Sequence, residues 1–256
     1  LDIKSNRKIP YILEKINFQS SKVDKEGYDH FMLKEIHESP YVINQVASHP
    51  SFEDFSKAIK QAKNVYTIGS GTAGVAASQI AFYLRIFGKI KAVGVIGADI
   101  YEYYDLLGKE DLMIAPSQSG ETADVLEVLE IAKKKGVKIA SYVNMPGSTM
   151  TRMSDYKFMS NAGPEICVVS TKVFTSQIAW GYLLGKVISG KGKAGRESLK
   201  LLADEIEKYL NTARNHEAIQ KLAKRLAKSK DIFLLGKYQN FNIIKEGMIK
   251  IIEGSY

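Results

Sequence analysis

Within six residues, Ser117-Gln118-Ser119-Gly120-Glu121-Thr122, the sequence sets three hydroxyls and one carboxamide. The run follows the apolar stretch Leu112 to Ala115 and precedes a helix-forming stretch. Its free N–H groups and the helix dipole would therefore face the same anion as its side chains. A phosphate dianion is the ligand such a set suits. Neutral hydroxyls, rather than lysines, fit a small sugar phosphate that must be held at a fixed position and then released. An N-cap in an ordinary turn would account for one of these hydroxyls, not for three with an amide. Glu121 would repel the anion and is expected to face away.

Other segments could contribute. Gly69-Ser70-Gly71-Thr72-Ala73-Gly74 follows a strand-like run and opens a helix, so its backbone N–H groups could approach a phosphate. It also satisfies the G-x-G-x-x-G dinucleotide pattern, with Asp99 where a ribose-binding acid would sit, and a purely structural turn would explain it too. Glu165 to Lys172 places Ser170 and Thr171 at a helix start, which reads equally as a cap or as a ligand contact. In the helix expected over Phe241 to Glu253, Glu246, Lys250 and Glu253 recur at i, i+4 and i+7 and share one face, opposite much of the stripe Phe241, Ile244, Met248 and Ile251. Composition alone favours a surface salt-bridge row there.

These segments need a scaffold. The chain alternates short apolar runs with helical patterns: Val65 to Ile68, Val75 to Phe87, Ala92 to Ile96, Leu112 to Ala115, Thr122 to Lys135 and Val137 to Val143. That order predicts an α/β fold with a doubly wound parallel sheet flanked by helices. The helix after Thr122 has Asp124 in its first turn, lysines in its last, Gly136 as its stop and Val125, Leu129 and Ala132 as its buried stripe. Upstream, a helix interrupted near Pro40 precedes a second one that Ser51 and Asp54 open like a capping box. Another runs from about Thr171 to Ile188 and stops at Gly190, after which Gly190 to Gly195 reads as a linker. Lys230 to Gly236 echoes Lys63 to Gly69, so a second, truncated unit is expected to begin after the linker. The expected organisation is a linker remnant over 1–27, a first domain over 28–192 and the start of a second over 193–256.

Composition bounds the partners. The chain has 256 residues, 45% of them hydrophobic, and a formal charge of +8. Its lysines are spread over several helix faces, which argues for solvated surfaces rather than nucleic-acid binding. No apolar run reaches the roughly 18 residues of a membrane-spanning helix, and residues 1 to 8 lack a signal peptide's apolar core. Cys167 is the only cysteine, flanked by Ile166, Val168 and Val169 and so expected to be buried; with the four unclustered histidines it predicts no disulfide, no metal site and a cytoplasmic setting.

Taken together, Gly71-Thr72, Ser117 to Thr122, Asn144-Met145-Pro146-Gly147-Ser148, Asn161-Ala162-Gly163-Pro164-Glu165 and Ser170-Thr171-Lys172 resemble the first sugar isomerase (SIS) domain of the glucosamine-6-phosphate synthase family, also called glutamine–fructose-6-phosphate aminotransferases. Tyr28 to Glu38 resembles the entry to the isomerase half of that family. The resemblance implies a SIS fold and the conversion of fructose 6-phosphate and glutamine-derived ammonia into glucosamine 6-phosphate, without metal or organic cofactor. It places Ser117, Gln118, Ser119 and Thr122 on the phosphate, with Gly71 in the same substrate-binding set. Thr72, Val168 and Ser170 would then contact the sugar, and Glu253 would move a proton between C1 and C2 with Lys250 beside it. Ala73 stands where the family usually carries a serine. The family's ring-opening histidine, its Schiff-base lysine and its glutaminase domain would lie outside this chain, so the expectation is binding without completed amination. A homodimer is implied as well. A SIS-type glucosamine-6-phosphate deaminase and a non-enzymatic sugar-phosphate-sensing SIS module are the rival readings, and an NAD-dependent oxidoreductase ranks last.

Overall fold

The computed structural model describes residues 24–50 and 52–255. The linker expected over 1–27 lies almost entirely outside them, and so does Ser51 of the expected capping box. Five strands, β1 (Val65–Gly69), β2 (Ala92–Ile96), β3 (Leu112–Ser117), β4 (Lys138–Val143) and β5 (Tyr156–Met159), form one parallel sheet in the order β2-β1-β3-β4-β5. The chain winds from β1 to β2 in one direction and then crosses back to β3 on the other side of β1. Between the carboxyl ends of β1 and β3 lies the switch point, where such sheets open a crevice.

Alternate strand residues feed two cores. On one face Val65, Leu112, Ile114, Ala140 and Tyr142 meet α4 (Gly71–Ile86) and α7 (Lys172–Ile188), with α2 (Ser39–Ala47), α3 (Glu53–Gln61) and α8 (Gly192–Leu210) outside them. Trp180 of α7 is fully buried and stacks on Tyr142 at 4.8 Å between ring centroids. On the other face Tyr66, Ile68, Met113, Ile139 and Val143 pack on α5 (Ala123–Lys134), the short α6 (Thr149–Met153) and a 3₁₀ segment, Gly97–Leu106. The stripe Val125, Leu129 and Ala132 is buried, and Gly136 takes φ +79° where α5 stops.

Several elements depart from expectation. The helix around Pro40 is two helices, α1 (Phe31–His37) and α2, with Pro40 in the first turn of the second, where its missing N–H costs nothing. The expected linker Gly190 to Gly195 is instead a tight turn, Gly190 at φ +76°, and the opening of α8. Gly195 is buried against Lys186 and Leu183, and Leu199 and Ala203 enter the same core as α2 and α7. Gly192 and Gly195 serve close helix packing and Gly190 a left-handed turn. No strand forms over Ile232 to Gly236. Phe233 and Leu235 are 86% and 90% exposed, because a strand needs a ladder partner and none lies beside this segment among the described residues. Among the described residues two further helices follow, α9 (Ala213–Leu226) and α10 (Asn240–Gly254).

One contact fixes the loop between β3 and α5. Gly120 sits at φ +68°, its carbonyl accepts from Met150 N–H at 3.1 Å, and a Cβ there would overlap Ser148 Oγ and approach Ser148 Cβ to 2.7 Å. Ser148 in turn caps α6 by accepting from Thr151 N–H. Gly120→Ala is therefore expected to cost about 2–4 kcal/mol in denaturant unfolding, summing left-handed backbone strain and overpacking. Wild-type stability in that variant would show that the loop has room to move.

Candidate functional site

At the switch point the β1–α4 turn, the β3–α5 turn, the segment leading into α7 and the last turn of α10 surround a cavity of about 220 Å³. Thr72, Ser117, Gln118, Ser119, Thr122, Val168, Ser170 and Glu253, all singled out in the sequence, line it together with Ser70, Ala73 and Gln177. Gly71 does not line it; at φ +55° with open space beside its α-carbon, it supplies the backbone turn that starts α4. Lys250 stands behind the wall and bonds Thr72.

The β3–α5 turn is wired to offer donors. Ser117 Oγ accepts from Gly120 N–H at 2.9 Å and Ser119 Oγ from Glu121 N–H at 3.2 Å. Each hydroxyl thus spends a lone pair inside the turn and keeps its own proton for a ligand. Gln118's carbonyl, which accepts from the N–H groups of Asn144 and Met145, pins the turn to the end of β4. Glu121 faces away, with its carboxylate accepting from Thr149 N–H at 2.7 Å; that bond, helped by the Thr149 hydroxyl, holds its pKa below the usual carboxylate value.

Two buried side-chain oxygens of the cavity-lining residues have no protein partner. Ser70 occupies the N-cap position of α4 without capping it, and its Oγ is buried and unbonded, as is Gln177 Oε1 on α7. Sequence reasoning passed over both. Ser70 lay inside a turn read for its glycines, and Gln177 lay inside an apolar helix with no partner in view; only proximity joins them to the hydroxyls.

Carboxylates hold the third wall. Glu165 takes Thr171 N–H at 2.8 Å, Val173 N–H at 3.1 Å and the Ser170 hydroxyl at 2.9 Å, so the acid, not the Ser170–Thr171 pair, caps α7. Glu35 of α1, 2% exposed, accepts from the N–H groups of Ile166 and Cys167 and anchors the loop that presents Val168 at the rim. Burial pushes the Glu35 carboxyl up, against the lowering effect of those two bonds. Cys167, expected to be buried, is only half-buried between Ile166 and the 93% exposed Val168, since the loop runs along the cavity edge rather than through the core. Burial still raises its thiol pKa, with the charges of Glu35 and Glu165 adding to the rise.

The α10 helix reverses the surface-row expectation. Its charged face turns inward: Glu246 is 4% exposed, whereas Phe241 and Met248 on the apolar stripe are 48% and 49% exposed. Thr72 Oγ1 donates to Glu246 Oε1 at 3.0 Å, and Lys250 Nζ donates to Thr72 Oγ1 at 2.8 Å while pairing with Glu246 at 2.8 Å and Glu253 at 3.4 Å. The polar start of α4 gives these charges partners that the aliphatic stripe could not use.

Residues 58–186, half of the chain, match the family model described as SIS domain. The chain is 36% identical over 255 residues to the glutamine–fructose-6-phosphate aminotransferase of Pyrobaculum aerophilum, an alignment that covers 95% of this chain and 41% of that protein. Among solved structures, the C-terminal domain of glucosamine-fructose-6-phosphate aminotransferase from Francisella tularensis superposes with a TM-score of 0.77 at 28% identity, covering 91% of this chain and 70% of that one. A glucosamine-6-phosphate deaminase from Thermotoga maritima shares the fold, with a TM-score of 0.66 at 21% identity over 88% of this chain and 67% of that one. With the sheet order, the cavity at its switch point and the match over residues 58–186 in hand, the chain belongs to the SIS-domain family.

Proposed function

We propose that this chain is the sugar-phosphate-binding and isomerase portion of a glutamine-dependent glucosamine-6-phosphate synthase. The observation that carries the reading is a polar cavity at two helix starts that Ser70, Ser117, Ser119 and Thr122 line together with Glu253. The hydroxyls and the helix N-termini take the phosphate. Glu253 then takes a proton from C1 of the imine formed from fructose 6-phosphate and returns it at C2, and Lys250, 3.4 Å from Glu253, keeps the carboxylate oriented. Ala73 contributes a methyl where a serine would add a donor, so the phosphate relies on the β3–α5 turn.

A volume near 220 Å³ lies below the roughly 300–1,000 Å³ of sites for drug-sized ligands, which suits a monosaccharide phosphate better than a dinucleotide. Since the chain spans 41% of the length of its Pyrobaculum relative, the amination, the glutaminase domain that would feed it and a homodimer are part of the proposal for the longer protein. No helix among the described residues is long and apolar enough to cross a membrane, and a cytoplasmic setting goes with the proposed metabolic role. The deaminase reading has the shared fold in its favour but no greater sequence similarity.

Calorimetric titration with fructose 6-phosphate, glucosamine 6-phosphate and NAD tests the reading. Saturable binding of the sugar phosphates is expected; binding of NAD alone would overturn it. Ser119→Ala removes a donor to a charged group and should weaken sugar phosphate and inorganic phosphate alike by about 10- to 150-fold, the equivalent of roughly 1.5–3 kcal/mol. Glu253→Gln in the full-length protein should abolish turnover and leave binding in place. Unchanged turnover would remove Glu253 from the chemistry.

A further inference from the structure

Most of the cavity is built to give protons, and Gln177 Oε1 can only receive one. The residue is 2% exposed, its carboxamide oxygen is buried without a partner, and it lines the cavity. The helix that carries it is fixed in place. Its neighbour Ser176 is bonded to Tyr142 Oη at 3.0 Å, and one turn further along α7 Gly181 packs so closely on α4 that a Cβ there would lie 2.6 Å from Ile80 Cγ1. The helix that carries Gln177 is therefore locked against both the sheet and α4. A buried acceptor left unmatched is costly, and native proteins leave few of them.

The dianion of a phosphate monoester cannot match this one, because once its second proton is lost its free oxygens are all acceptors too. With the amide oriented as it is here, what satisfies Gln177 Oε1 must bring a proton of its own, and a hydroxyl on the carbon skeleton of the ligand does so. We infer that Gln177 is a specificity-determining residue whose Oε1 accepts a hydrogen bond from a sugar hydroxyl, so that the cavity selects polyhydroxylated phosphate esters over phosphate itself and over analogues lacking that hydroxyl. The inference rests on the sugar-phosphate reading above and adds to it the part of the substrate that is read. Sites that hydrogen-bond a substrate hydroxyl reject the analogue without it far more strongly than apolar pockets reject a missing methylene, since the buried partner is then stranded.

The test is a cycle between ligand and protein at about pH 8, where a phosphate monoester is a dianion. Fructose 6-phosphate, its monodeoxy analogues and inorganic phosphate are titrated into the wild-type chain and into Gln177→Met, which keeps the volume and removes the acceptor. In the wild type, one monodeoxy analogue should bind about 5- to 150-fold more weakly than the parent; in Gln177→Met that gap should close, and inorganic phosphate should bind as in the wild type. Retained phosphate binding also reports that the variant is folded. The wild-type series needs no variant, so equal binding of every monodeoxy analogue there overturns the inference by itself. Equal losses for sugar phosphate and inorganic phosphate in Gln177→Met would assign the amide to the anion and overturn it as well. Failure of the wild type to bind any sugar phosphate would bring down the broader reading first, a result that the variant does not enter.

Discussion

Two helices begin side by side because the chain reverses direction across its sheet. β1 and β3 are neighbours, yet β2 intervenes between them in sequence, so α4 and α5 leave their strands on opposite faces and open a gap at the carboxyl edge. Each helix start carries N–H groups without intrahelical partners and the positive end of a dipole. Such an edge favours an anion before any side chain is chosen. The side chains then determine how firmly and how selectively it is held, and hydroxyls already braced by their own turn, as at Ser117 and Ser119, hold it without adding a fixed positive charge.

The rest of the molecule keeps that edge rigid. Trp180, Tyr142, Phe55 and Phe158 pack as one aromatic group under α7, and Glu35, Glu165 and Glu38 each secure a piece of the wall from outside it. Lys172, 3% exposed, pairs with Glu38, so the start of α7 is tied to the α1–α2 junction. Setting acids that are wholly or partly buried, as Glu35 and Glu165 are, against loop backbone is expensive unless their bonds are satisfied. Here most are directed at main-chain N–H groups that would otherwise be stranded.

How much of this the sequence disclosed depended on whether the signal was local. β1, β2 and α5 were legible because each carries its own periodicity and punctuation, and the Ser117 to Thr122 turn was legible because its donors are consecutive. β5 was not: four residues at a sheet edge, packed on Phe52 and Phe55 from more than a hundred positions earlier, show no period that a reader could detect. Ser70 and Gln177 were missed for a related reason, since an unsatisfied acceptor becomes informative only once its surroundings are known to be dry. The glycines from 190 to 195 misled because a residue that permits flexibility and one that permits close approach look the same in sequence.

The orientation of α10 is the clearest case of tertiary context overriding a pattern. An amphipathic helix normally buries its apolar stripe, and this one buries Glu246, with the half-buried Lys250 beside it, against Thr72. Such an arrangement adds little to stability, because desolvating two charges offsets most of what their attraction returns. Its effect is geometric. With Glu246 and Lys250 fixed on the first turn of α4, the helix repeat leaves Glu253 one turn beyond Lys250 no position except the cavity rim. A greasy interface would tolerate sliding by a fraction of a turn, whereas a threefold junction of hydroxyl, carboxylate and ammonium does not. The same residues that read as a surface salt-bridge row in the sequence therefore set the register that carries a carboxylate to the place where a proton would have to move.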